Sequence, residues 1–301
     1  MNIAQLRAFH AVATEGGFTR AAHRLGISQP AVTVQVRAIE QAHGLRLFHR
    51  RGGAVELTDF GREVLSRTRR IFALLDEVDD MLRSAGALMR GRLELGADGP
   101  FAVMGLIAAF RARYPGVQIQ TRMGNTARVL RDLEEGRTDL AVVMLERPDF
   151  RLSAVPLRDD RLVALVPRGH QWARRRRITL GELDGQPMLF REQGSATRAL
   201  LSAALERAGI TSEVVLELGS REALREAVAA GLGIGCIFES EIGRDDRHRL
   251  LAIVKPELKA TQYLACLPER RELRPVQAFL ALVDELATAR PAAPEAIPAP
   301  R

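Results

Sequence analysis

Residues 26–44 read GISQPAVTVQVRAIEQAHG and decide the fold of the N-terminal region. Ser28 is a favourable N-cap for a helix, and Pro30 suits the first turn, where its missing N–H would have no partner. Val32 and Val36 recur at helical spacing and predict a buried face. The opposite face is polar, and we call it the recognition stripe. It consists of Gln29, Pro30, Thr33, Val34 and Arg37.

Two shorter helices are predicted before this one. The first ends at Gly16-Gly17, and the second, FTRAAHRL, has Thr19 as its candidate cap and ends at Gly26. A sharp turn then leads into the third helix, which makes a helix-turn-helix. The second helix of that motif enters the major groove of DNA, where glutamine pairs with adenine, arginine with guanine, and methyl groups with thymine.

A hairpin is predicted next, at LRLFHRRGGAVELT, with two short strands around Gly52-Gly53. In a winged helix-turn-helix such a hairpin brings basic side chains to phosphates, which positions the protein without reading sequence. The candidate DNA-binding residues are therefore Thr19, Ser28, the recognition stripe, His49, Arg50 and Arg51.

The charge distribution favours a polyanion partner for the same region. The chain has a net charge of +7, and residues 1–70 contain eleven arginines against five acidic residues. The alternative is compositional: Lys255 and Lys259 are the only lysines, so arginine is favoured everywhere. That explains arginine over lysine, but it does not explain the uneven distribution.

The segment LRAFHAVATEGGFTRAAHRLGISQPAVTVQVRAIEQAHGLRLFHRRGGAVELTDFGREVL resembles the LysR-type bacterial transcriptional regulators, with SQPAV as its clearest motif. Thr33 stands where the family usually has serine, which keeps the hydroxyl. The resemblance implies a winged helix-turn-helix domain over residues 1–58 that binds double-stranded promoter DNA at dyad-symmetric half-sites. It also implies a homodimer or homotetramer, RNA polymerase as a candidate partner, and no enzymatic activity.

A long helix is predicted to link this domain to the rest of the chain, over residues 59–90. Apolar residues repeat there with a mean spacing of 3.5, which is the pattern of a coiled coil. The alternative is a lone amphipathic helix packed on its own domain, and the resemblance favours a dimer helix. The candidate dimerisation residues are Val64, Ile71, Leu75, Val78 and Leu82.

Strand and helix patterns alternate over the rest of the chain, which indicates parallel α/β sheets. The resemblance implies an α/β effector domain of two lobes, like periplasmic solute-binding proteins. We expect this domain at 91–290, with lobe one at 91–162 and 268–290 and lobe two at 163–267. The Pro/Ala-rich residues 291–301 are expected to be a disordered tail.

Ligands of such sheets bind at the carboxyl ends of strands, where helix N-termini offer free N–H groups to anions. Several loops in these positions carry suitable side chains. For Ser195 and Thr197 the alternative is ordinary helix capping, and for Glu239 it is a solvated acid at a strand end. The candidate effector-binding residues are Asp98, Gly99, Pro100, Asn125, Thr126, Arg191, Gly194, Ser195, Thr197 and Glu239.

The charges of these loops suggest a ligand class. Family members most often have Ser or Thr in the first loop, and the acid Asp98 disfavours a dicarboxylate close by. A cationic loop in lobe two facing Asp98 and Glu239 suits a zwitterion such as an amino acid or an aminophosphonate.

Several other functions are disfavoured. Cys236 and Cys266 have no metal-ligand spacing, so no metal or cofactor is expected, and no nucleophile motif is present. The absence of a signal peptide or a long apolar run favours a cytoplasmic protein. The competing hypothesis is a cytoplasmic solute-binding or enzymatic α/β domain with an incidental N-terminal module, which the charge distribution disfavours.

Overall fold

The computed structural model describes residues 1–51, 54–83, 91–243 and 245–289. The chain divides into two compact units, Met1–Gly86 and Ala87–Arg301. Within the described ranges no helix has both the length and the apolar character needed to span a membrane. The predicted tail at 291–301 and the last part of the predicted linker, 84–90, lie outside the described residues.

The N-terminal unit is a helix-turn-helix followed by a hairpin and a long helix, as the sequence predicts. Its elements are α1 (Ile3–Glu15), α2 (Phe18–Leu25), α3 (Gln29–His43), β1 (Phe48–Arg51), β2 (Ala54–Leu57) and α4 (Asp59–Arg83).

A small apolar core fixes the orientation of α3. Phe9 of α1 and Val32 of α3 are fully buried in it, and Val36 is nearly so. The ring centroids of Phe9 and Phe48 lie 5.5 Å apart, so the hairpin joins the same core. Each of these side chains contributes about 1.5–3 kcal/mol by leaving water. Gly26 ends α2 at a φ of 65°, a conformation that favours glycine and makes the turn into α3 sharp.

The second unit alternates strands and helices, again as predicted. Its elements are β3 (Gly91–Ala97), α5 (Pro100–Arg113), β4 (Val117–Met123), α6 (Thr126–Glu134), β5 (Leu140–Leu145), β6 (Ser153–Pro167), β7 (Arg177–Thr179), β8 (Pro187–Arg191), α7 (Ala196–Arg207), β9 (Glu213–Leu218), α8 (Arg221–Ala229), β10 (Ile234–Phe238), β11 (His248–Val254), β12 (Lys259–Cys266) and α9 (Arg274–Ala289).

The strands form two lobes that share β6. The order is β4-β3-β5-β12-β6-β10-β8-β9, with parallel pairing inside each lobe at β4-β3-β5 and at β10-β8-β9. The first part of β6 pairs with β12, and its second part pairs with β10 and β11. Phe238 at the carboxyl end of β10 pairs with Leu162 of β6, and Leu145 at the carboxyl end of β5 pairs with Thr261, which pairs with Asp159 of β6. Both carboxyl ends therefore lie near the middle of β6, between the lobes.

Each lobe has its own apolar core. In lobe one, α9 returns to pack on α5, and the rings of Phe279 and Phe110 lie 5.0 Å apart. In lobe two, Trp172, Met188 and Phe238 are buried together. The last helix therefore packs on lobe one.

The predicted boundary between the lobes is wrong in one respect. The range 163–267 assigns β12 to lobe two, but Thr261 to Ala265 pair with β5 in lobe one. Strand pairing depends on residues distant in sequence, so an alternating pattern identifies a strand without identifying its sheet.

Candidate DNA-binding surface and effector cleft

The start of α3 follows the sequence prediction. The Ser28 Oγ accepts a hydrogen bond from the Ala31 N–H at 3.4 Å, and Pro30 occupies the first turn. The predicted cap of α2 is wrong: Gly17 takes the N-cap position, and Thr19 lies one residue inside the helix, exposed. The chain turns sharply at the end of α1 and is extended at Gly17, two residues before the predicted cap Thr19.

The recognition stripe faces solvent. Gln29, Pro30 and Arg37 are exposed, Val34 is 63% exposed, and Thr33 is half-buried. Within the stripe the Gln29 Nε2 donates to the Thr33 Oγ1 at 2.8 Å, and that hydroxyl donates to the Gln29 carbonyl at 3.1 Å. These bonds hold the glutamine amide along the outer face of a helix whose inner face is packed.

The predicted wing is a regular antiparallel hairpin, in which His49 is paired with Glu56. The His49 side chain is exposed. Gly52 and Gly53 lie outside the described residues, as do the side chains of Arg50 and Arg51.

The predicted seam residues of the long helix α4 fall into two groups, those packed on the N-terminal domain and those exposed to solvent. The Thr58 Oγ1 caps the helix by accepting from the Gly61 N–H at 2.9 Å. Val64 packs on the core of its own domain, whereas Ile71 and Val78 are 37% and 52% exposed. Leu75 is half-buried, and the side chain of Leu82 lies outside the described residues. The lone-helix alternative therefore describes the first turns of the seam, and its later turns expose apolar side chains.

On the lobe-one side of the cleft, Asp98 is an internal acid. Its Oδ2 accepts from the Thr126 Oγ1 and from the Met144 N–H, both at 2.8 Å, and the residue is 4% exposed. Burial raises the pKa of this carboxyl above its usual value, against the lowering effect of those bonds. Gly99 and Pro100 begin α5. The Asp98 Oδ2 therefore links the start of α5 to α6 and β5 within lobe one.

The start of α6 joins the two lobes directly. The Asn125 Nδ2 donates to the Gln193 carbonyl at 3.1 Å, the Ala127 N–H donates to the Gly194 carbonyl at 3.0 Å, and the Ala196 N–H donates to the Thr126 Oγ1 at 3.3 Å.

Gly194 lies where the two lobes approach each other closely. Its φ is +87°, and a Cβ at this position would lie 2.9 Å from the Cβ of Ala127. Gly194 is therefore needed for the close approach of the lobes.

On the lobe-two side, Arg191 is a buried cation at the end of β8. It is 5% exposed, and its Nε and Nη2 donate to Glu192 at 2.8 and 3.0 Å. Its Nη1 is buried and has no hydrogen-bond partner among the described residues. An unpaired buried donor on a charged group is costly, so this position is suited to an external acceptor.

The hydroxyls of Ser195 and Thr197 lie at the N-terminus of α7, close to Arg191 in sequence. Both residues are 4% exposed, and neither hydroxyl is bonded to another described residue. Ser195 is the N-cap residue, but its side chain makes no capping hydrogen bond, so the capping alternative does not account for it. Both hydroxyls and the positive end of the helix dipole remain available to an anion.

Near the end of β10, the acid that lies against Gly99 and Arg221 is Glu241, and not the predicted Glu239. Glu239 is about half exposed, and both its oxygens accept from Arg161, at 2.7 and 2.9 Å. Glu239 is therefore a partly exposed acid paired with Arg161, which favours the solvated-acid alternative. Glu241, which the sequence analysis missed, is buried and pairs with Arg221 beside Gly99.

Comparison with known proteins identifies the family. The model of the bacterial regulatory helix-turn-helix protein, lysR family, matches residues 3–62, and the model of the LysR substrate binding domain matches residues 86–288. The RuBisCO operon transcriptional regulator of Allochromatium vinosum is 33% identical over 79% of this chain and 79% of its own length. The chain belongs to the LysR family.

This LysR-family protein is a DNA-binding transcriptional regulator with an effector-binding domain, and it is not an enzyme. A full-length OxyR variant from Pseudomonas aeruginosa has the same fold, with a TM-score of 0.78 at 22% identity over 94% of each chain. The Synechocystis PCC6803 CcmR regulatory domain, solved in complex with 2-PG, matches with a TM-score of 0.62 at 27% identity. That match covers 67% of this chain and 100% of the CcmR chain.

One sequence signal could have found the missed pair. Arg221 is the first residue of α8, directly after the capping Ser220. A cation at a helix N-terminus opposes the helix dipole, so a compensating acid is expected near it.

Proposed function

We propose that this regulator places α3 in the major groove of promoter DNA and reads bases with the recognition stripe. The exposure of Gln29 and Arg37 on a firmly packed helix supports this assignment. Thr19, Ser28, His49, Arg50 and Arg51 are proposed to contact the phosphate backbone, which orients the protein without sequence preference.

Two copies of the chain are proposed to bind the two halves of a dyad-symmetric site. The exposed side chains of Ile71 and Val78 on α4 support a helix-to-helix contact.

The dimer is tested by replacing Ile71 with aspartate and measuring the molar mass by light scattering. The mass should fall to that of a single chain, whereas the same replacement at Arg67, an exposed position outside the seam, should leave it unchanged. An intact assembly after Ile71→Asp contradicts the α4 contact.

The effector is proposed to be a small anion bound at the lobe-two side of the cleft. The observation that carries this proposal is the buried Nη1 of Arg191, which lacks a partner among the described residues. The Ser195 and Thr197 hydroxyls and the N-terminus of α7 supply further donors. The 2-PG complex of the similar CcmR domain makes 2-PG the first ligand to test.

The zwitterion hypothesis loses its support. It depended on Asp98 and Glu239 as acceptors for an ammonium group, but the Asp98 Oδ2 accepts from two protein donors and both Glu239 oxygens accept from Arg161. The proposal therefore keeps the anionic group and drops the ammonium group.

Isothermal titration with 2-PG, inorganic phosphate, succinate and glycine tests the effector proposal. We expect Arg191→Met to weaken binding of the anions at least about 30-fold, because a charge-assisted pair is lost from a buried site. Arg131→Ala, which removes an exposed arginine of α6, should leave the affinities within about twofold. Equal affinities for the wild type and Arg191→Met contradict the assignment of this site.

The DNA proposal is tested by footprinting the protein on two DNA fragments. One is the region upstream of its own gene, and the other is a RuBisCO operon promoter. Specific binding should weaken steeply with salt, because phosphate contacts release counterions. Binding without sequence preference at every salt concentration contradicts the base-reading assignment.

A further inference from the structure

A second cation lies at the cleft, on the neighbouring strand end. Strands β8 and β9 are parallel, with Arg191 beside Leu218, and Arg221 follows three residues later at the start of α8. The side chain of Arg221 is 13% exposed. Its position at the positive end of a helix is unfavourable unless nearby oxygens compensate.

Arg221 links the two lobes. Its Nη1 donates to the main-chain carbonyl of Asp98 in lobe one at 2.6 Å, and its Nε donates to the Glu241 Oε2 in lobe two at 2.5 Å. A Cβ on Gly99 would lie 3.3 Å from both the Arg221 guanidinium and the Glu241 carboxylate. We call the pair Arg221 and Glu241 the clasp.

Within the clasp, Glu241 presents to Arg221 the kind of anionic group that an effector would present. Glu241 has 6% of its side chain exposed, and burial raises its pKa, partly offset by Arg221. Arg221 bonds the main-chain carbonyl of Asp98, while the Asp98 Oδ2 accepts from Thr126 and from Met144. The carboxylate on Arg221 is therefore supplied by Glu241, and a ligand carboxylate or phosphate is an equivalent partner for a guanidinium.

We propose that Glu241 is an internal counter-ion that occupies the place of a second effector anion, so that the clasp discriminates between effectors with one and with two anionic groups. This inference rests on the proposed anion site at Arg191. A ligand with one group binds Arg191 and leaves the clasp intact. A ligand with two groups must displace Glu241 from Arg221, which leaves a buried acid without its partner and releases the bond to Asp98 in the other lobe.

Matched ligand pairs test the clasp by titration calorimetry. Methylphosphonate is compared with phosphonoacetate, and propionate with succinate, on the full chain and on Glu241→Gln. We expect Glu241→Gln to raise the affinity for the ligand with two groups at least about tenfold relative to its partner with one group. Glu239→Gln, which removes a charge from an exposed ion pair two residues away, should leave both ratios within about twofold.

A second variant keeps the test decisive if Glu241→Gln is poorly folded. Arg221→Lys retains the charge but cannot bond Glu241 and the Asp98 carbonyl with the same geometry, and it should bring the two affinities of each pair closer together. Unchanged ratios in both variants overturn the clasp while leaving the Arg191 site intact. Absence of binding by all four ligands to the wild type and to both variants overturns the Arg191 site as well.

Discussion

Val34 and Arg37 of α3 are exposed to solvent, whereas in the effector cleft Arg191 is buried and Arg221 has only 13% of its side chain exposed. The side-chain bond within the recognition stripe joins residues four apart, Gln29 and Thr33. The bond from Arg221 to the Asp98 carbonyl in the cleft joins residues 123 apart in sequence. The polar face of a surface helix is therefore determined locally, while a buried polar cluster depends on distant partners.

This contrast has an energetic consequence. When an exposed side chain is removed, water replaces its contacts at little cost in free energy, so its loss changes recognition more than folding. When a buried charged side chain is removed, water does not replace it, so its former hydrogen-bond partners are left unsatisfied. Substitutions in the cleft should therefore destabilise the domain, and substitutions in the stripe should not.

Asp98→Ala should produce the largest effect. It leaves the Thr126 hydroxyl and the Met144 N–H without their acceptor, and we expect a loss of about 3 kcal/mol in the free energy of unfolding of the effector domain. Urea unfolding followed by the fluorescence of Trp172, the single tryptophan of the chain, measures it. Glu239→Ala, with its exposed partner, should cost under about 0.5 kcal/mol. Equal costs would remove the distinction between buried and exposed acids.

Gly194→Ala should come next, at about 2–3 kcal/mol, because a Cβ is disfavoured both by the left-handed φ and by the 2.9 Å approach to Ala127. The strain falls on the contact between the lobes, and the same urea unfolding measures it. The matched control is Gly105→Ala, a position in α5 with nothing within 4 Å, which should stabilise the domain by about 0.5–1 kcal/mol. A neutral Gly194→Ala variant would mean that the lobes do not meet at this loop.

Arg37→Ala should leave stability unchanged and alter recognition instead. If Arg37 makes a bidentate contact to guanine, its loss removes about 1–3 kcal/mol of discrimination against the wrong base. Arg51→Ala should weaken binding to all sequences alike. Competition binding with specific and scrambled duplexes separates the two, and a uniform loss in both variants would contradict the division of roles between helix and wing.

The smallest effect on stability is expected at His10, a half-buried titratable residue of the N-terminal unit. His10 Nδ1 lies 3.0 Å from the Thr68 Oγ1, within hydrogen-bond distance, and burial, together with the charges of Arg69 and Arg24, lowers the pKa of His10 to about 4. The unfolded chain binds a proton at this histidine near pH 6.5, so the stability from neutral His10 is complete above that pH and declines as pH falls toward about 4.

We expect a loss of about 2 kcal/mol between pH 6.5 and about 4, observed by hydrogen exchange of the α1 amides in the full chain. His10→Gln should flatten this dependence, whereas His43→Gln, an exposed replacement on α3, should not. A pH dependence retained in His10→Gln would assign the effect to another group.

Much of the recognition surface was predictable from the sequence. Ser28, Pro30 and the valines of α3 act within one helix, so their spacing determined the cap, the packed face and the exposed stripe. Thr19 is the exception, because the preceding turn and not side-chain preference placed the start of α2. The strands and helices of the effector domain also followed from local patterns.

The cleft was predictable only in outline. The loops were correctly located at strand ends, yet Asp98 turned inward, Glu239 paired with Arg161, and Gly194 served the contact between the lobes. Arg221 and Glu241 were missed because their relation spans two elements and a lobe boundary.

The sequence by itself therefore determined the family, the winged helix-turn-helix and the alternating α/β pattern, because periodicity and capping act between near neighbours. The tertiary structure alone decided which lobe holds β12, which partners the acids Asp98, Glu239 and Glu241 have, and which guanidinium lacks a partner among the described residues. Those outcomes depend on strand pairing and desolvation between residues far apart in the chain, and a linear pattern does not encode that proximity.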